Sequence, residues 1–253
     1  MRLDSLLCEK GIFSSRTKAN QAINEGRVLC DGKPVKPSLE LDSLDKITVQ
    51  KDEFVSNGGQ KLKKALNDFN LDISGMSFAD IGASNGGFTD CLLKAGASKV
   101  YAIDVGESQL DKDLVANSKV TVLDNTNARY LTEEVLGERV DGVVSDVSFI
   151  SLTLILNGIK NVLKDDGIAL LLIKPQFECG KEFLNKNGIV KNEKARFNAI
   201  KKVCTACVNL GMYPVNLTTA PIKEGKNVEY VIMLKNNDNS VNFSADELIR
   251  KIR

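Results

Sequence analysis

Hydrophobic residues along this chain change their spacing near residue 50. Before that point they come in short bursts. Leu3, Leu6 and Leu7 keep helical spacing and stop at Gly11, and Ala19, Ala22 and Ile23 do the same between a cap at Ser14 or Ser15 and a stop at Gly26. Val28-Leu29-Cys30, the turn Asp31-Gly32 and Lys33-Pro34-Val35 read as a hairpin, and 45–49 as a further strand. This predicts a small α+β domain over 1–49, followed by a linker over 50–59. Leu62, Leu66 and Phe69 then open a helical pattern, after which continuous apolar runs alternate with amphipathic stretches. The runs predict strands from Ser77, from Val100, and over 120–125, 141–147, 167–174, 212–221 and 228–235; the stretches predict helices over 87–95, 131–136, 150–163 and 193–210. Such alternation predicts an α/β fold over 60–236: a doubly wound, mostly parallel sheet whose ligands lie beyond the carboxyl ends of its strands. The last strand is expected to be an antiparallel edge strand, and 237–253 a polar tail with a weak helical pattern after Ser244.

One stretch dominates the larger part. Ser77-Phe78-Ala79-Asp80-Ile81-Gly82-Ala83-Ser84-Asn85-Gly86-Gly87-Phe88-Thr89 is an apolar strand running into a glycine-rich turn and an apolar helix. Gly82, Gly86 and Gly87 let a ligand approach the main chain, and the helix start offers unpaired N–H groups. The next strand, Val100-Tyr101-Ala102-Ile103-Asp104, ends in an acid about 20 residues past the turn, where a doubly wound fold presents a carboxylate to ribose hydroxyls. A dinucleotide needs glycine where Ser84 stands, so that a pyrophosphate can pass close to the backbone. S-adenosylmethionine carries no phosphate; a bare turn, Asp80 for its ammonium and Asp104 for its ribose suffice. The methyl donor is therefore the expected cofactor, with a dinucleotide and a ligand-free turn as alternatives.

Composition narrows the chemistry. With 253 residues, 43% of them hydrophobic and 26% charged, the chain is an ordinary globular one, and a net charge of +1 neither requires nor excludes nucleic acid. Locally, seven Lys and Arg face four acids between Met1 and Pro37, a bias suited to phosphate contact and equally to a solvated face. No apolar run approaches the ~20 residues of a membrane span, and the amino terminus lacks a signal peptide's apolar core. A cytoplasmic protein with six reduced cysteines is expected, and Cys204-x-x-Cys207, lacking a second pair within a helical pattern, is read as core filling; no metal is expected. The chain has no histidine, which removes the commonest general base and the Ser-His and Cys-His systems.

Proton transfer must then use other groups. Asp146 closes the run Gly142-Val143-Val144-Ser145 and Lys174 closes Ala169-Leu170-Leu171-Leu172-Ile173, so both point into the crevice. Glu229 reaches the same rim if its strand is reversed, and Lys61, at the start of the preceding helix, can join them. Burial and a neighbouring ammonium lower a lysine's pKa, which makes one neutral lysine, Lys174, the expected base; a structural ion-pair cluster is the alternative.

Two resemblances sharpen this reading. The order leucine helix, Gly11, Ser15-Arg16, Ala19, Ile23, Gly26, Val28, Asp31-Gly32 resembles the S4 domain, an RNA-binding module, which would place RNA contacts on Arg16, Lys18 and Arg27. Val55-Ser56-x-Gly58-Gly59-x-Lys61-Leu62, the Asp80–Thr89 turn, Ala102-x-Asp104-Val105-Gly106, Asp146-Val147-Ser148-Phe149-Ile150-Ser151-Leu152, Lys174-Pro175-Gln176-Phe177-Glu178 and Asn227-x-Glu229 together resemble the TlyA family. That family joins an S4 domain to an FtsJ-like, Rossmann-like methyltransferase domain. The resemblance implies a ribosomal RNA 2′-O-methyltransferase acting on cytidine, with the ribosomal subunit as partner; the family also carries an older haemolysin label. Its catalytic set falls on Lys61, Asp146, Lys174 and Glu229. Its cofactor contacts fall on Asp80, Gly82, Ala83, Ser84, Gly86, Gly87, Phe88, Thr89, Asp104 and Val105, and on Asp124, where adenine would lie. Asn57, Asn125 and Lys226 depart from the family pattern at substrate-side or loop positions. A non-catalytic RNA-binding or assembly factor and a membrane-active haemolysin are the competing functions; neither requires S-adenosylmethionine.

Overall fold

The structure is a computed structural model that describes every residue except Ser14, Lys51, Ser108, 239–243 and Arg253. The chain divides into Met1–Glu53 and Phe54–Arg253.

In the first unit, helices α1 (Leu3–Glu9) and α2 (Arg16–Asn24) are followed by strands β1 (Val28–Cys30), β2 (Lys33–Pro34) and β3 (Ile47–Val49), antiparallel in the order β2-β1-β3. Ser15 caps α2 by accepting a hydrogen bond from the Lys18 N–H; Ser14, the other expected cap, lies outside the described residues. Leu3, Leu7, Ala19, Ala22, Ile23 and Val28 form its core. The two-residue turn between β1 and β2 needs positive φ at both positions, and Asp31 (48°) and Gly32 (76°) supply it.

The second unit opens with α3 (Gly58–Asp68) and continues through β4 (Ser77–Ile81), α4 (Gly87–Lys94), β5 (Lys99–Ile103), α5 (Lys112–Val115), β6 (Val120–Leu123), α6 (Glu133–Leu136), β7 (Val140–Ser145), α7 (Leu156–Val162), β8 (Leu163–Ile173), α8 (Pro175–Glu178), α9 (Glu193–Val208), β9 (Met212–Thr219), β10 (Tyr230–Asn236) and α10 (Ala245–Lys251). The sheet runs β6-β5-β4-β7-β8-β10-β9. Alternate residues of β4 serve opposite cores. Phe78 packs with Leu62, Leu66 and Leu92 of α3 and α4, while Ala79 and Ile81 pack with Leu156 and Ile159 of α7, so every residue of β4 is buried. That double burial explains a continuous apolar run instead of an alternating one. The tail also contributes: Leu248 and Ile249 of α10 are buried in the larger core.

Chain order reverses between β4 and β7, with β5 and β6 on one side and β8 on the other, so the crevice opens at their carboxyl ends. One expectation needs correction. The reversed strand, β10, is not at the edge; it fills a gap between β8 and β9, pairing antiparallel with both, and β9 is the edge. Two features explain this. β10 is buried at six of its seven positions, whereas β9 is only partly buried and contains Pro214, which cannot donate to a ladder and suits an edge. The register Tyr230↔Ile173 sets the residue before β10, Glu229, beside the one after β8, Lys174.

Candidate active site

Four ionisable side chains meet at the crevice, each delivered by a different element end. Lys61, in the first turn of α3, lies with its Nζ 3.2 Å from Asp146 Oδ2 and 2.8 Å from Glu229 Oε2. Asp146 follows β7, and its other oxygen, Oδ1, is 2.6 Å from Lys174 Nζ, which follows β8. Lys174 is the most enclosed, its side chain 9% exposed, and it also donates to Ser148 Oγ at 2.6 Å and to the Asp146 carbonyl at 3.4 Å. Burial alone would push the Lys61 pKa down, but the charges and hydrogen bonds of Asp146 and Glu229 outweigh it, and the pKa is raised. Lys61 is thus held protonated, which leaves Lys174 as the lysine expected to act as the base.

Beside this cluster lies the glycine turn. Gly82 (φ 81°) approaches Val147 so closely that a Cβ would sit 3.1 Å from its side chain. At Gly86 (φ 90°), which caps α4, a Cβ would collide with the Leu114 side chain; at Gly87 it would collide with Ser56 Oγ. The turn is therefore bare for two reasons, conformation and space. Ser84 also adopts positive φ (49°), and its N–H donates to Asp104 Oδ2 at 2.8 Å, while Gly106 N–H donates to Oδ1 at 3.1 Å. Asp104 thereby ties the ends of β4 and β5 together.

Asp80 is fully buried within β4. One oxygen accepts a 2.7 Å hydrogen bond from Thr89 Oγ1, and the other, Oδ1, has no partner in the protein. Burial pushes its pKa up to about 7, with Asp146 and Asp104 adding to the rise and the Thr89 hydroxyl opposing it. A buried carboxylate with a free oxygen beside a bare turn suits a cationic ligand group.

Two clefts adjoin here, sharing Gly82, Ser84, Asp146 and Ser148 in their linings. One, of about 190 Å³, is walled by Ser56, Gly87 and Lys174. The other, of about 540 Å³, is walled by Asp104, Val105, Ala128, Phe149 and Ile150. Asp124 does not line either cleft, whereas Thr126, Asn127 and Ala128, which follow it in the chain, line the larger one.

Comparison with known proteins agrees with this architecture. The FtsJ-like methyltransferase family profile matches residues 54–237, and the S4 domain profile matches residues 1–47. The 16S/23S rRNA (cytidine-2'-O)-methyltransferase TlyA of Mycobacterium tuberculosis is 39% identical over 239 residues, covering 92% of this chain and 89% of the relative. Hemolysin A of Brachyspira hyodysenteriae is 39% identical over 235 residues, covering 91% and 98%. The chain belongs to the TlyA family. It is a methyltransferase with an S4 domain. A solved structure of a hemolysin candidate from Streptococcus thermophilus, 36% identical, superposes with a TM-score of 0.76, covering 99% of this chain and 94% of that one. Among the described residues no helix is long and apolar enough to cross a membrane, and no group of three His, Cys, Asp or Glu could hold a metal.

Several residues of the family's motifs have roles that spacing alone does not reveal. Glu178 is buried and holds the start of the segment after β7, accepting from Leu152 N–H at 2.6 Å, Ser151 Oγ at 2.5 Å and Lys202 Nζ at 3.1 Å. Ser148, which accepts from Lys174, was missed because a lone serine after a strand carries no periodic signal. In the S4 unit, Arg16 and Lys18 are exposed, although Arg16 also pairs with Asp4 at 3.1 Å. Arg27 differs: it is only 18% exposed and pairs with Glu25 at 2.9 Å and Asp52 at 3.0 Å, so it serves that unit's own structure. Cys204 and Cys207 lie in the core, and burial pushes the Cys204 thiol up to about 12.

Proposed function

We propose that this methyltransferase transfers the methyl group of S-adenosylmethionine to a ribose 2′-hydroxyl of ribosomal RNA, cytidine being the nucleoside named for its relatives. The observation that carries the reading is the Lys61–Asp146–Lys174–Glu229 cluster at the rim of the bare glycine turn. The residues present fit the cofactor: Asp104 for its ribose hydroxyls, Gly82, Ala83, Ser84 and Gly87 of the turn for its amino-acid end, and Val105, Ala128 and Ile150 for its adenine; Asp80, fully buried, lines neither cleft but leaves one oxygen unpartnered. Bound there, S-adenosylmethionine supplies an electrophilic methyl group on a sulfonium.

The chain's own residues prepare the hydroxyl. As an ammonium, Lys174 donates hydrogen bonds to Ser148 Oγ and, at longer range, to the Asp146 carbonyl, and forms an ion pair with Asp146 Oδ1. As an amine it keeps the two 2.6 Å contacts and frees a lone pair, which can accept the 2′-hydroxyl proton. Asp146 orients that amine. Lys61, held protonated between Asp146 and Glu229, keeps a positive charge beside the developing alkoxide. Enclosure strengthens both effects, because charges act over a lower local dielectric than in water. Arg16 and Lys18 of the S4 unit supply exposed cations for RNA phosphates. The test is mass spectrometry of rRNA from cells with and without the gene: a 2′-O-methylated nucleotide present only with the gene supports the reading, and identical maps refute it.

A further inference from the structure

Two loops that the reaction itself does not use are joined beside the catalytic cluster. The hairpin closed by the Leu184–Val190 bridge turns at Gly188 and is held internally by Asn185, whose side-chain oxygen accepts from the N–H groups of Asn187 and Ile189, each at 2.9 Å. Asn227, from the loop between β9 and β10, staples this hairpin by accepting from Val190 N–H at 2.8 Å and donating to the Gly188 carbonyl at 2.9 Å. Arg196 of α9 adds a second staple, donating to the carbonyls of Val190 and Lys191 and to the Tyr230 hydroxyl. Asn227 and Tyr230 flank Glu229, which holds Lys61 at 2.8 Å. The stapled loops are therefore fixed to the rim of the active site.

Their charge is one-sided. Segments 184–191 and 221–228 carry Lys186, Lys191, Lys223 and Lys226 against a single acid, Glu224. All four lysines are exposed, and among the described residues none of them forms an ion pair. Elsewhere in this unit lysines commonly have an acid within reach, as Lys64, Lys94, Lys99, Lys164 and Lys201 do. Unpaired ammonium groups on a rigid support lose little by binding phosphates and gain the release of counterions.

We propose that the stapled loops form a phosphate-gripping rim that holds the RNA backbone flanking the target nucleotide, a surface additional to the S4 unit. The inference rests on the ribosomal RNA reading above. Its test is filter retention of transcribed 16S and 23S rRNA by the full chain across a potassium chloride series. The variant combines Lys186→Gln, Lys191→Gln, Lys223→Gln and Lys226→Gln, and a matching fourfold Arg variant restores charge. With about 0.7 to 0.9 counterions released per phosphate contact, the glutamine variant should lower the slope of log affinity against log salt by about 3, and the arginine variant should keep it. Unchanged S-adenosylmethionine affinity shows the fold intact; if the fourfold variant does not fold, Lys226→Glu alone should lower the slope by about 1. A wild-type slope in the glutamine variants, while the wild type binds rRNA, overturns the inference alone. A wild type that neither retains nor methylates rRNA overturns the proposed function and this inference together.

Discussion

Asp80→Asn should make the ligand-free protein more stable at neutral pH and less able to hold its cofactor. The carboxyl of Asp80 is fully buried with one oxygen unpartnered, and its pKa rises from 3.8 to about 7. Since the folded state keeps this proton while the unfolded state has released it, stability falls as pH rises from about 4 to about 7. A rise of that size corresponds to about 4 kcal/mol in full, of which more than half falls between pH 5 and pH 8. Asparagine keeps the shape and still accepts from the Thr89 hydroxyl but does not titrate. Urea denaturation of both proteins from pH 5 to pH 8 reads the effect, because other groups cancel in the difference. The mutant's relative stability should climb by roughly 2 to 3 kcal/mol over that interval. Saturating S-adenosylmethionine should restore the wild type at pH 8, since an ammonium near Asp80 favours its ionised form. A stability difference that stays constant from pH 5 to pH 8 would refute the reasoning.

Lys174→Ala should abolish most single-turnover methylation, and Lys174→Arg should do no better because guanidinium keeps its proton at any working pH; a near-normal arginine variant would reduce Lys174 to a positioning group. Asp104→Ala should weaken S-adenosylmethionine about tenfold or more by calorimetry, since charge-assisted bonds to ribose contribute roughly 1.5–3 kcal/mol each, and equal affinity would sink that placement. Replacing Arg16 and Lys18 by alanine should flatten the salt dependence of RNA binding, whereas Arg27→Ala should chiefly lower the S4 unit's thermal stability, because its partners are Glu25 and Asp52. RNA binding that is insensitive to Arg16 and Lys18 would move the footprint elsewhere.

The Lys61–Asp146–Lys174–Glu229 cluster was legible where polar residues directly end apolar runs. Asp146 and Lys174 follow β7 and β8, whose two-sided burial writes an unmistakable hydrophobic run. Glu229 was legible only through the assumption of a reversed strand, and although β10 is reversed, its insertion between β8 and β9 leaves no mark in its own run of residues. Pro214 in β9 was the available clue, since proline tolerates an edge better than an interior strand. The helices α5 and α8, one turn each, are too short to show a period. Interactions between distant loops left no local trace, which is why the Asn227 staple, the Glu178 clamp and the Arg27 ion pairs emerge only in three dimensions. The pKa of Lys61 is a similar case. Its sign depends on two carboxylates brought from positions 146 and 229, and no spacing rule weighs them against burial.

The central claim, that this site methylates a ribose 2′-oxygen, is tested most directly with the purified chain, S-adenosylmethionine labelled in its methyl group, and rRNA from cells lacking the gene. Alkali cleaves RNA through the 2′-hydroxyl, so a methylated ribose leaves its neighbouring phosphodiester intact. The account predicts label in alkali-resistant dinucleotides, with cytidine as the modified member, and none with Lys174→Ala. Label released as mononucleotides, which marks a methylated base, would contradict it.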